Sequence, residues 1–159
     1  MFELSAEGKE FVQKELKRYE DKYSAIIPSL YRVQKENGGW VSDECVAHLS
    51  QVMEIPEADI NEVFKFYTMF NQVPVGKLHV QVCTNVSCAM NGGRELAKHI
   101  CKAYNTKLGD VSPDGKVTVN QVECLGSCDT APMMQVNDRY LENLTPESAI
   151  EQLKKMESE

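Results

Sequence analysis

The spacing of apolar residues changes once along this chain, at the stretch "NQVPVGK", and that change restricts the fold more than any other feature. Before it the spacing is helical. Leu4, Phe11, Val12, Leu16, Tyr19 and Tyr23 recur at intervals near three and four and predict one inward helix face. Ile26, Ile27, Leu30 and Tyr31 begin a second apolar face, which stops at "ENGG". Ser42 is placed to cap a third helix carrying Val46, Leu49 and Met53. Pro56 suits the first turn of a fourth, with Ile60, Val63, Phe64 and Tyr67 facing inward. The aromatic run Phe64, Phe66, Tyr67, Met69 and Phe70 is expected to be mostly core, with part of it free to face a partner. Residues 1–72 therefore predict a four-helix bundle, and nothing in it forms a catalytic constellation.

After the seam the period drops to two. Leu78, Val80 and Val82 alternate with His79, Gln81 and Cys83, as in a strand. "GGRELAKHICKAYN" returns to the helical period, with Leu96, Ala97, Ile100 and Tyr104 on one side. "GKVTVNQVEC" is a second strand behind the turn "SPDG", "MMQVND" a third and "RYLENL" a short fourth. "TPESAIEQLKKM" closes as a helix capped by Thr145 with Pro146 in first position. One crossover helix between the first two strands makes that pair parallel, and the remaining pairings can be antiparallel. Residues 73–159 thus predict an α/β layer on one mixed sheet, and the whole chain is α+β.

Composition bears on partners and compartment. Lys+Arg number 17 against 24 Asp+Glu, a net charge of −7, so no basic stripe offers phosphate neutralisation and a nucleic-acid partner is not expected. No apolar run approaches the roughly 18 residues of a membrane span. The start, "MFELSAEGKEFVQKELKRYE", lacks the apolar core of a signal peptide. The expectation is a chain in a reducing compartment, where clustered cysteines more often bind metal or do redox work than form disulfides.

Six cysteines are present, and four of them flank strands. Cys83 ends the first strand and Cys88 lies in the loop after it; Cys124 ends the second strand and Cys128 lies in the loop beyond. If the two strands are neighbours, four thiols meet at one end of the sheet. Zinc is a serious candidate for such a set, because its thiolate pairs commonly lie two to four residues apart. The four-residue gap between Cys83 and Cys88 occurs in plant-type ferredoxins, which hold a 2Fe–2S cluster, and a dinuclear cluster accommodates a longer loop on each iron. Neither gap is the two-residue C-x-x-C of a thioredoxin-type dithiol. Spacing leaves cluster, zinc and disulfide open. Gly92, Gly93 and Gly126 flank the cysteines, where they make turns or let backbone N–H groups face an anion. A helix starting near Gly93 would aim its positive end at the site. Cys45, in an amphipathic helix, and Cys101, well along the crossover helix, are expected to be packing residues, as are His48, His79 and His99.

"CTNVSC" together with "CLGSCDTAPMMQVND" closely resembles the thioredoxin-like 2Fe–2S ferredoxins. "GGWVSDECVAHLSQVMEIPEADINEVFKFYTMF", with its run "FYTMF", resembles the N-terminal bundle of one branch, the NuoE-type subunits of the NADH-oxidising module of bacterial respiratory complex I. The resemblance covers nearly the whole chain. It implies a thioredoxin-like fold for residues 73–159 and one 2Fe–2S cluster on Cys83, Cys88, Cys124 and Cys128. It implies one-electron transfer beside the FMN of a partner flavoprotein (NuoF type), which also binds NADH. It further implies a place in the peripheral arm of complex I, on the cytoplasmic face of the inner membrane, without direct membrane insertion. Equivalent subunits serve NAD-linked hydrogenases and formate dehydrogenases, and the alternative from another class is a zinc-stabilised interaction module with no redox role. No G-x-G-x-x-G follows a strand, so no dinucleotide site is expected on this chain. In the thioredoxin fold a cis proline often sits near the active site, and Pro132 is expected to be that residue.

Overall fold

The structure is a computed structural model describing residues 2–158. The chain divides into two compact units, Met1–Pro74 and Val75–Glu159.

The first unit is helical. Helix α1 (Ala6–Arg18) starts at Ser5, whose hydroxyl accepts the Gly8 N–H at 2.9 Å. Glu36, at the end of α2 (Ile26–Glu36), accepts the Ser5 N–H and hydroxyl, each at 2.8 Å, and Arg32 at 2.6 Å. The two helices are thereby joined at one end. Helix α3 (Asp43–Met53) is capped by Ser42 as its sequence predicts, and α4 (Glu57–Phe66) follows. Val12, Leu30, Val33, Leu49, Ile60 and Phe64 are buried in one core.

Three expectations for this unit need correction. Tyr23 does not continue the face of α1. Asp21 accepts the Tyr23 N–H at 2.9 Å and opens a separate 3₁₀ turn (Lys22–Ala25), so the register is broken and Tyr23 reaches out to Asp59 at 3.0 Å. Pro56 is the residue before α4 rather than part of its first turn, because its ψ of 141° is extended. The aromatic run splits. Phe64 and Phe70 are buried, but α4 ends at Phe66 and Tyr67 turns extended, so the helical period stops there. Phe66 is left 77% exposed and Tyr67 and Tyr31 also reach the surface, Tyr31 with its ring edge-on to Phe70.

The second unit is built on a sheet of β1 (Leu78–Cys83), β2 (Val117–Val122), β3 (Met134–Val136) and β4 (Arg139–Leu141), in the order β2-β1-β3-β4. β1 and β2 are parallel, as the single crossover requires, and the other two pairs are antiparallel. The crossover helix α6 (Gly93–Ala103) and the final helix α7 (Pro146–Glu157) pack on the sheet and on each other through Leu96, Ile100, Ala149 and Leu153. β1 is central, and it departs from strict alternation: His79 is buried along with Leu78 and Val80. The Asn137 turn holds the His79 backbone at this point: its side chain accepts the His79 N–H at 2.9 Å and its N–H donates to the His79 carbonyl at 3.0 Å. Register decides what meets at the sheet end. Cys83 lies opposite Val122, and Val82 opposite Met134, so the last residue of β1 stands beside the end of β2 and the start of β3.

Candidate metal centre

Four thiols converge at that sheet end. Cys83 closes β1, and its Sγ donates to the Glu123 carbonyl at 3.1 Å, across the parallel pair. Cys88 is not in a loop, as its sequence context predicts, but in a short helix, α5 (Val86–Met90). Asn85 starts that turn by accepting the Val86 N–H at 2.7 Å, and the four-residue gap is long enough to close it. Cys124 lies two residues beyond β2, and Cys128 opens a 3₁₀ turn (Cys128–Thr130).

The thiols stand in two pairs. Cys83 and Cys88 are hydrogen-bonding neighbours, and so are Cys124 and Cys128. The pairs also feel each other: Cys128 acts electrostatically on Cys88, and Cys83 on Cys128. Burial pushes the Cys88 thiol up, and the neighbouring Cys83 adds to this against an opposing N–H of Met133. At Cys128 the charge of Cys124 is the leading cause of an upward shift, followed by desolvation. Thiols this close resist ionising together, and a cation bound between them removes that resistance. Standing two and two, they do not form, among the described residues, one group of three or more His, Cys, Asp or Glu that could hold a metal ion.

The protein around the thiols is shaped to them. Met133, fully buried, packs against Cys83 and Cys88, with Leu125 and Ala131 behind. Gly93 begins α6 against the backbone of the site: a Cβ there would lie 2.6 Å from the Cys83 carbonyl oxygen and 2.9 Å from that of Cys88. The first turn of an eleven-residue helix can approach the cysteines only because this position has no side chain. The Ala131–Pro132 bond is cis, as expected. The outer loop is held by side chains that sequence reasoning missed. Tyr140 donates to the Leu125 carbonyl at 2.8 Å, Ser87 to the Cys128 carbonyl at 3.0 Å, and Glu142 accepts the hydroxyls of Ser127 and Thr130. Their only sequence signal was proximity to the cysteines or a place in the short hairpin after the last of them. Cys45 is buried in the helical unit and Cys101 in the core beneath the sheet, both apart from the four. Among the described residues, no helix is long and apolar enough to cross a membrane.

Comparison with known proteins places this arrangement in a family. Residues 12–157 match the family profile described as Thioredoxin-like [2Fe-2S] ferredoxin. The chain is 42% identical over 134 residues to the E-type subunit of NADH-quinone oxidoreductase from Rickettsia bellii, covering 83% of this chain and 80% of that protein. It is 40% identical over 152 residues to NADH dehydrogenase [ubiquinone] flavoprotein 2, mitochondrial, of Dictyostelium discoideum, covering 94% of this chain and 61% of that one. Among solved structures it resembles a chain of an NAD+-reducing [NiFe]-hydrogenase in the air-oxidized state, with a TM-score of 0.69 and 22% identity. That likeness covers 82% of this chain and 23% of the hydrogenase chain, and it speaks for the fold alone. With the profile spanning nearly its full length and relatives at 40% identity and above, the chain belongs to the thioredoxin-like 2Fe–2S ferredoxins.

Proposed function

We propose that Cys83, Cys88, Cys124 and Cys128 hold one 2Fe–2S cluster, Cys83 and Cys88 on one iron and Cys124 and Cys128 on the other. The observation that carries this reading is the arrangement of the thiols as two neighbouring pairs. The donor set fits: four thiols, an apolar backing of Met133, Leu125 and Ala131, and a helix start brought in close at Gly93. When bound, such a group takes up and returns one electron at a time. The chain's own part is to fix the thiolates, keep water off the inner pair and, through nearby backbone dipoles, favour the charge that reduction adds.

The chain serves as the electron-carrying subunit of an NADH-oxidising enzyme of the NADH:quinone oxidoreductase type. Its cluster stands next to the FMN of a NuoF-type flavoprotein partner in the peripheral arm of complex I, on the cytoplasmic side of the membrane. The names of the relatives at 40% identity and above support this assignment, as does the absence of a phosphate-cradling glycine loop from the sequence. FMN and NADH then belong to the partner, and hydride chemistry with them.

Reconstitution with iron and sulfide tests the cluster. The expected result is about two irons and two acid-labile sulfides per chain, a brown-red colour, and one unpaired spin per cluster after reduction. A colourless protein that takes up only zinc would overturn the assignment. Calorimetric titration of the isolated chain with NADH should show no saturable site; a micromolar one would overturn the division of labour.

A further inference from the structure

The outer ligand loop, Cys124–Cys128, has no strand or α-helix of its own, and both cysteines are exposed. A flexible loop of that kind would let the Cys124 and Cys128 thiolates wander, yet the β3–β4 hairpin reaches across and holds it at three points. Tyr140, on β4, donates its hydroxyl to the Leu125 carbonyl at 2.8 Å. Asn143, just past β4, donates its backbone N–H to the Thr130 carbonyl at 2.8 Å. Between them the carboxylate of Glu142 accepts from the Ser127 hydroxyl and, at 2.9 Å, from the Thr130 hydroxyl, while those two hydroxyls lie 2.8 Å from each other. Ser127 directly precedes Cys128, and Thr130 ends the 3₁₀ turn that Cys128 opens. The two hydroxyls hold the Glu142 carboxyl below the usual carboxylate range, so it is ionised and the bonds are charge-assisted.

We propose that Glu142 is a positioning residue for the cluster: its carboxylate clasps the two hydroxyls that bracket Cys128, fixes the outer thiolates, and thereby sets how firmly the outer iron is held and how readily the cluster is reduced. The proposal rests on the cluster reading given above. The physical case is that a metal ligand on an irregular loop is only as well placed as the groups behind it, and outer-shell partners of ligands govern metal affinity. The inner pair needs no such device, because β1, α5 and Met133 enclose it. The outer pair has the hairpin in their place. Glu142 also sets a negative charge on the exposed side of the site, which opposes uptake of an electron.

The test uses the full chain, reconstituted with iron and sulfide, and compares wild type with E142Q, E142A and the double variant S127A/T130V. Cluster loss to a ferrous chelator and the midpoint potential from a spin-resonance redox titration are the two readouts. E142A should lose iron about tenfold faster or more. S127A/T130V should do the same, and combining it with E142A should add little, since both remove one clasp. E142Q, which keeps an acceptor but not the charge, should raise the reduction equilibrium constant by roughly tenfold, about 59 mV for one electron. S127A/T130V should move the potential less, because the carboxylate charge remains. Chelation rates and potentials equal to wild type in all variants would overturn the proposal while leaving the cluster itself in place. Independent, fully additive effects of E142A and S127A/T130V would also overturn it. A wild-type chain that assembles no cluster would instead defeat the parent reading, and this one with it.

Discussion

The two thiol pairs come from the same sheet end but from opposite environments. Cys83 and Cys88 are 4% and 2% exposed, one on the central strand and one on a helix turn, with Met133 pressed against both. Cys124 and Cys128 are exposed, on a loop with no regular structure except a three-residue turn. The inner pair is placed by packing and the outer pair by hydrogen bonds from the β3–β4 hairpin. The difference suits an electron carrier. The inner side is buried, and the outer side reaches the surface, from which a partner can approach. Val86 and Met90, both well exposed, flank the buried Cys88 on α5.

Removing single ligands gives the largest expected effect and the sharpest test of the comparison. On the proposed ligand set, alanine at Cys83 or Cys88 would leave an iron without a thiolate in a buried place that water cannot readily fill, so the cluster should be lost altogether. Alanine at Cys124 or Cys128 opens a position to solvent, so a fraction of an altered cluster should survive. Visible and spin-resonance spectra of the four variants, reconstituted in parallel, distinguish the two classes. Unaltered spectra in any one of the four would remove that residue from the ligand set, and equal loss in all four would erase the distinction between the pairs.

Glycine substitutions probe the same contrast one step further out. At Gly93 an added Cβ meets the Cys83 and Cys88 carbonyl oxygens at 2.6 and 2.9 Å, and backbone cannot swing aside. Gly93→Ala should cost about 3 kcal/mol, the upper end for overpacking, and should distort the inner pair. At Gly126, with φ of +79°, an added Cβ meets nothing within 4 Å, so Gly126→Ala carries only left-handed backbone strain of about 1–2 kcal/mol. Denaturant melts with the cluster in place should therefore rank Gly93→Ala below Gly126→Ala, and only Gly93→Ala should slow cluster assembly markedly.

The helical unit enters the comparison by exclusion. It carries its own core and none of the four clustered thiols. A chain beginning near Pro74 should still turn brown with the same cluster spectrum and should co-purify less well with the proposed flavoprotein partner. Loss of the cluster in that truncation, with the remainder folded by circular dichroism, would show that the bundle supports the site.

What was legible in the sequence follows the physics of each element. The alternation Leu78, Val80, Val82 and the long amphipathic run after Gly93 are periodic signals, and β1 and α6 stand where they predict. Thr145 with Pro146 marks the start of α7 through local capping chemistry. The parallel pairing followed from one crossover, and with it the meeting of the cysteines. Short elements were hidden. Five residues of α5 are too few to show a period, so Cys88 reads as loop. Tyr67 reads as core because a helical period cannot announce where it stops. Glu142 and Tyr140 fall in the short fourth strand "RYLENL" with no role assigned, since their partners lie 12 to 15 positions away and become neighbours only through the hairpin.

The smallest expected effect belongs to the two remaining cysteines, and it sets the background for the rest. Cys45 is fully buried on α3, where its sulfur takes a hydrogen bond from the Ser42 hydroxyl at 3.2 Å, inside the helical unit. Cys101 is buried among Leu96, Ile100 and the sheet, on the helix whose first residue abuts the site. Gly93 and Cys101 are eight positions apart, roughly 12 Å along a helix at about 1.5 Å per residue. Across that distance a sulfur cannot take the place of a lost thiolate. Burial raises the Cys101 thiol, so it stays neutral and unreactive, as a packing residue should. Replacing Cys45 and Cys101 together with alanine should therefore leave the visible and spin-resonance spectra unchanged, with a stability loss of about 1 kcal/mol per site from the lost packing. If the double variant instead loses the cluster while its far-UV dichroism is native, a sulfur outside the two pairs is a ligand, and the division into an inner and an outer pair fails.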